Sequence, residues 1–557
     1  MRDPVRLGLL VTALAAALGA AAVTAMPHEL ARPDPARLNI YFYLLDRWEP
    51  IGLAILALAA LAMAAFGSGV RSGRSIEESA DERPTTSGSP SARTSPATLV
   101  RLIALAVLVV SVMAAFLAHH SYPLSMDEWA GELQAKIFAT GRRTAEIPED
   151  WAPYARAVTP VFVSLHHDPP RWTSTYLPVN ALLKTPLVWI RATELFNPLL
   201  GALTVLAIAA VARRLWPGRP AAPLVAAVLL GTSSQFLITS ASFYTMPAHL
   251  LASVVWLWLH LHPRRSLERL TPWVGVLALG LHNFVVHTLF VAPFLLRLVR
   301  RRELLRATYY GAIYFAAGLG WLAWLRWAVP NLEAATSRSF AIPASWSALW
   351  QQVWNVALLV GWQPVAFTCL LALALARLRH AGVVERDLAW SALLTFAFYF
   401  LYTKNQGHGW SYRYVYAVLG NLVLLGTGAW LELARRAGEL RLKRLLVASS
   451  VFALLFQIPY RLFEVRTTVT PRANASRWLA SNDADAVVLH PALGWYAQDL
   501  VRNEPGLTNR PVLLFMNRMQ STEYLELRQR MDIRVLGPDA LRVFGIPAAD
   551  TVRASPP

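Results

Sequence analysis

Residues 99–130 read LVRLIALAVLVVSVMAAFLAHHSYPLSMDEWA, an apolar run with no Asp, Glu, Lys or Arg from Leu102 to Met126 that ends on the adjacent carboxylates Asp127 and Glu128. A bilayer core asks for roughly 20 consecutive apolar residues per helix, so this run reads as a membrane span. The two acids then stand at the head of a loop that lies outside the bilayer. Carboxylates so placed are suited to chemistry on something the membrane delivers.

The rest of the chain repeats the pattern. Runs free of acidic and basic residues also cover 195–212, 220–263, 307–325, 339–376, 388–403 and 414–431. Apolar residues make up 55% of the chain and charged residues only 15%, which places it among membrane proteins. The 220–263 run is long enough for two spans and should break near Ser242–Pro247. The reading gives about 13 spans, near 7–25, 50–66, 99–118, 196–212, 221–241, 245–261, 273–285, 287–299, 305–328, 353–376, 388–403, 412–432 and 446–463. The pair at 273–299 is short and is expected to be a broken or re-entrant hairpin with His282, Asn283 and His287 near its apex.

A net charge of +18 invites a nucleic-acid reading, which the position of the charges excludes. Basic clusters at Arg213-Arg214, Arg264-Arg265, Arg300-Arg301-Arg302, Arg377 with Arg379, and Arg435-Arg436 each flank an apolar run, as short cytoplasmic loops do. Residues 119–175 instead hold seven acids against five bases, and residues 464–557 ten against eleven, so both read as external. The amino terminus is then cytoplasmic and the carboxyl-terminal region external. Residues 1–25 also have the basic start and apolar middle of a signal peptide, and cleavage would leave the later topology unchanged. The lone Cys369 excludes an intramolecular disulfide.

Four regions follow. Residues 1–66 form an appended two-span hairpin, and 67–98, rich in Ser, Gly, Pro and Thr, form a disordered cytoplasmic linker. Residues 99–463 form the membrane core with its large external loop at 119–175, and 464–557 form a small external α/β domain. In that tail, strand-like stretches at 486–489, 511–516 and 533–536 alternate with helical ones at 494–501 and 521–530.

Ser125-Met126-Asp127-Glu128 fits the S-x-x-E capping box, in which Ser and Glu satisfy backbone donors at a helix start. Trp129, Leu133 and Ile137 recur at helical spacing up to Gly141, so the loop should open with an amphipathic helix lying on the membrane surface. With Glu128 occupied as the cap, Asp127 is left free at the helix amino end, where the macrodipole favours its charged form. Such a carboxylate suits a general base.

An Asp-Glu pair heading the first large external loop directly after a span, followed by further spans and an external tail, resembles the GT-C membrane glycosyltransferases, of the protein O-mannosyltransferase and aminoarabinose transferase type. The segment Phe196-Asn197-Pro198-Leu199-Leu200-Gly201-Ala202-Leu203, running to Arg213-Arg214-Leu215, is similar to the second core span of such enzymes. The resemblance implies an α-helical polytopic membrane protein with a GT-C core in a bacterial inner membrane. It implies transfer of a sugar from a polyprenyl-phosphate donor to a lipid, glycan or protein acceptor at the external, periplasmic face, with inversion and with Asp127 as base. Glu128 is a poor second catalytic carboxylate, because adjacent helical side chains diverge by about 100°. A transporter or lipid-linked glycan flippase remains open on span number alone, as does a GT-C-like glycan ligase or polymerase.

Other groups join the candidate site. Lys404, His408 and Arg413 lie in the segment KNQGHGWSYRY at the external end of two spans. They could hold the donor phosphate, Arg413 best of all since a guanidinium binds phosphate in a bidentate manner, or they form an interfacial turn whose cations snorkel. His249, His282 and His287 lie in or near spans, where ionisable groups often face a cavity. His166, His167 and Asp168 are metal-capable and could hold a divalent cation, the one cofactor the sequence suggests. Lys184 reads as a snorkelling anchor.

Overall fold

The computed structural model describes residues 3–25, 48–66, 95–330, 346–402, 409–493, 499–537 and 539–546. The linker read at 67–98 therefore lies almost wholly outside the described residues. The chain is an integral membrane protein built of helices. Leu14, Leu18, Leu58, Leu105 and Phe315 are each more than half exposed on helix faces, an apolar surface that water does not tolerate but lipid does.

Helices α1 (Pro4–Thr24) and α2 (Glu49–Phe66) pack against each other and into the core. α3 (Pro96–Leu117) starts where Ser95 accepts from the Thr98 N–H and Pro96 fills the first turn. It leads to α4 (Met126–Ala139), which ends at Thr140 before Gly141, whose φ of +76° suits glycine. After the first loop come α5 (Val179–Trp189) and α6 (Phe196–Leu215). The long apolar run then forms α7 (Ala222–Gly231), α8 (Ser234–Ala241) and α9 (Met246–His260), broken at 242–245 as the sequence implies. A further 63° bend between α7 and α8 is set by Ser233, whose hydroxyl caps α8.

α10 (Thr271–Leu279) and α11 (Phe284–Arg300) make the broken hairpin, with Asn283 capping α11. α12 (Leu304–Ala328) follows. The run read as one span at 353–376 is sharply bent: α13 (Trp346–Gly361) and α14 (Val365–Ala376) meet at 119°. Pro364 disfavours helical geometry at Gln363 and caps α14. α15 (Val383–Leu401), a 3-10 turn at Arg413–Val418 and α16 (Leu419–Ala437) precede α17 (Glu439–Phe452) and α18 (Ile458–Ala480). The last two run on through a π-turn as one rod of 42 residues. At 1.5 Å per residue that is about 60 Å, twice a bilayer core, so the rod leaves the membrane and carries the tail. Five described helices are each long and apolar enough to cross a membrane, or up to seven if each bent pair counts as one span.

The two amino-terminal helices are no loose appendage. Arg461 of α18, fully buried, pairs with Glu49 of α2 at 2.8 Å and with Glu464 at 2.7 Å, and the Trp362 indole donates to Glu49. Gly52 and Gly361 let that guanidinium in: a Cβ on Gly52 would stand 2.7 Å from its Nη2.

Outside the helical body, β1 (Ala145–Glu146), β2 (Val163–His166) and β3 (Arg171–Ser174) form an antiparallel sheet in the order β1-β3-β2. In the tail, β4 (Ala486–Leu489), β5 (Val512–Phe515) and β6 (Ile533–Leu536) form a parallel sheet in the order β5-β4-β6, with α19 (Ser521–Arg530) between β5 and β6. The expected surface position of α4 is also corrected. Met126, Trp129, Leu133 and Ile137 share one apolar core with Trp172 of β3 and with Val488, Val512, Leu514 and Leu527 of the tail. Loop and tail thus bury α4 between them, because each alone has too little apolar surface to close a core.

Candidate active site

The site begins with the first turn of α4. Glu128 Oε2 accepts from the Ser125 N–H at 2.9 Å and from its hydroxyl at 3.2 Å, so the capping box forms as its spacing requires. Its Oε1 reaches further and accepts from the Phe243 N–H at 3.0 Å. Burial pushes the Glu128 carboxyl up, while the hydrogen bonds from Ser125 and Phe243 favour its charged form. Glu128 therefore ties the loop to the break between α8 and α9.

That break is held from two further sides. The Phe243 carbonyl accepts from Lys184 Nζ at 3.1 Å, and Lys184 pairs with Glu132 of α4 at 2.5 Å. Asn197 of α6 donates to the carbonyls of Ser242 and Tyr244, at 2.6 and 2.7 Å. Lys184 is 1% exposed, so it is a buried ion-pair partner and not the snorkelling anchor that its sequence context suggests. Breaking a buried pair strands a charge and costs about 3–5 kcal/mol. Lys184→Met should accordingly lower thermal stability of the purified protein strongly, and Lys184→Met with Glu132→Leu should recover much of the loss. An unchanged melting temperature in the single variant would contradict this role.

With the 242–245 segment fixed, Tyr244 meets Arg413. Arg413 Nη1 donates to the Tyr244 hydroxyl at 3.2 Å and to Asp127 Oδ2 at 3.0 Å, and Nη2 donates to the Tyr414 hydroxyl at 3.3 Å. The guanidinium also lies over the rings of Tyr244 and Tyr414, 5.3 and 5.0 Å from their centroids. Asp127 Oδ1 accepts from the Tyr176 hydroxyl. The expectation that Asp127 stands free is thus corrected: it is 20% exposed and bound on both oxygens. Burial and the Asp127 charge hold the Tyr176 phenol well above the usual tyrosine range, so it stays a proton donor.

His282, at the apex between α10 and α11, stacks on Tyr176 with centroids 4.3 Å apart, so this broken hairpin lies against the site. His249 is buried and its Nε2 has no partner among the described residues. His287 faces the Tyr314 hydroxyl at 3.3 Å. Lys404 and His408 lie outside the described residues. His166 sits beside Trp327, centroids 5.5 Å apart, and His167 lines an open cleft of about 450 Å³ with Arg156, Thr175 and Arg518. No described group of three or more His, Cys, Asp or Glu side chains is placed to hold a metal ion, so the set His166, His167 and Asp168 is not assembled into one. Adjacent residues at the β2 end point to different surroundings.

The sequence reading missed Tyr176 and Tyr244. Both stand at chain interruptions, Tyr176 two residues before Pro178 and Tyr244 in the break before Pro247. A tyrosine at the end of a loop or inside a broken span was the available signal.

No protein-family profile and no curated protein sequence matches the chain. Among solved structures it is similar to ArnT from Cupriavidus metallidurans in the apo state, at 12% identity and a TM-score of 0.51 over 78% of this chain and 89% of that one. It is similar also to that protein bound to undecaprenyl phosphate, at 12% identity and a TM-score of 0.52 over 79% and 96%. The Archaeoglobus fulgidus oligosaccharyltransferase tethered to an acceptor peptide superposes more loosely, at 12% identity and a TM-score of 0.40 over 74% and 60%. The ArnT likeness shows the fold: the chain shares the overall architecture of that protein.

Proposed function

We propose that the chain is a membrane glycosyltransferase that moves a sugar from a polyprenyl-phosphate donor to a hydroxyl-bearing acceptor at the external face, inverting the anomeric carbon. The observation that carries this reading is the Asp127–Arg413 pair, 3.0 Å apart, set where the first loop meets two broken helices. A fold whose ArnT member is seen with undecaprenyl phosphate supports a polyprenyl-phosphate donor. The expected topology of 13 spans, with loop and tail external, belongs to the same proposal.

In this scheme Arg413 is the counter-ion of Asp127 until the donor phosphate arrives and shares the guanidinium. Competition from the phosphate weakens the hold on Asp127, which then accepts the proton of the acceptor hydroxyl. The acceptor oxygen forms its bond to the anomeric carbon as the bond from that carbon to the phosphate oxygen breaks. The electron pair leaves with polyprenyl phosphate, whose added charge falls on Arg413 and the phenols of Tyr244 and Tyr414. Glu128 supports inversion by its engagement elsewhere, since both of its oxygens already hold backbone donors and a retaining route wants a second carboxylate as nucleophile.

Purified chain in vesicles, given labelled polyprenyl-phosphate sugar and acceptor-bearing membrane extract, should move label to the acceptor, and nuclear magnetic resonance of the product should show the inverted anomer. Label crossing the bilayer while still attached to its lipid, with no transfer, would favour a flippase. A retained anomer would overturn the single-base scheme.

A further inference from the structure

The tail reaches the segment entering α4 with a charged side chain. Arg502 Nη2 donates to the Leu124 carbonyl at 3.0 Å, its guanidinium lies 4.0 Å from the centroid of the Tyr122 ring, and its Nε donates to the Asp499 carbonyl at 2.5 Å. Residues 122–124, which deliver the chain to Asp127, are thus gripped by the tail. The other end of α4 is pinned by Lys136 to Glu504 at 2.5 Å, and Asn503 donates to the Val158 carbonyl at 2.9 Å. Glu128 alone does not set the angle of α4.

We infer that Arg502 is a positioning residue for the transfer reaction, holding the segment that enters α4 so that Asp127 faces Arg413 and the acceptor. This rests on the reading of Asp127 given above. The consequence is that the tail domain belongs to the catalytic apparatus and is no passive cap, although it offers no reacting group of its own.

The test uses the full chain in vesicles, with kcat and donor KM measured per folded molecule for wild type, Arg502→Gln, Arg502→Lys and Asp127→Asn. A misplaced catalytic group costs on the order of 10- to 100-fold in rate, so Arg502→Gln should lose about that in kcat with donor KM nearly unchanged, and Arg502→Lys should recover part. Wild-type kcat in both Arg502 variants, beside an inactive Asp127→Asn, would overturn the inference alone. So would less folded protein in both Arg502 variants with unchanged activity per folded molecule. Full transfer by Asp127→Asn would instead overturn the reading of the site on which it rests.

Discussion

Replacement of Asp127 by asparagine is expected to lower transfer by about 10²–10⁴-fold, the usual contribution of a positioned general base. The amide keeps an oxygen for the Tyr176 hydroxyl, so the local packing survives. What it cannot do is accept the proton of the acceptor hydroxyl. Because Asp127 also offsets the charge of Arg413, its loss leaves more positive charge for the donor phosphate, and donor affinity should hold or tighten. Initial rates at saturating donor, with donor binding measured in parallel, separate the two effects. Weakened donor binding at an unchanged rate would assign Asp127 a role in the ground state only.

Replacement of Arg413 by lysine is the second large effect, about 10²–10³-fold in rate, as for removal of one donor to a developing anion. The nominal charge is kept, but an ammonium has no planar fork with which to span the carboxylate of Asp127 and two phenols, which Arg413 does with Nη1 and Nη2. Donor KM should rise together with the fall in kcat, since a phosphate is present before and after the bond breaks. This separates Arg413 from Asp127, whose variant keeps its donor affinity. A lysine variant with wild-type kinetics would leave the guanidinium without a catalytic part.

Much of the frame was legible because lipid imposes long charge-free runs and because turn chemistry is local. The S-x-x-E box, the stop at Gly141 and the break near Ser242–Pro247 stand where the residues place them. In the tail, the expected strands at 486–489 and 533–536 and the helix at 521–530 form with those bounds, and the strand read at 511–516 is one residue shorter at each end. What escaped depends on partners far away in the chain. Asp127 looked free because its hydrogen-bonding partners are 49 and 286 residues distant. Lys184 looked like an anchor because Glu132 lies 52 residues before it. The burial of α4 could not be read from its own periodicity, since the tail that covers its second face is more than 300 residues further on.

The most direct test of the central claim is a single-turnover measurement on purified chain preloaded with labelled polyprenyl-phosphate sugar, comparing wild type with Asp127→Asn at equal bound donor. Asp127 as base predicts that wild type passes label to an added acceptor and releases polyprenyl phosphate, while the variant holds its donor intact. Equal label transfer by both proteins from equal bound donor would contradict it.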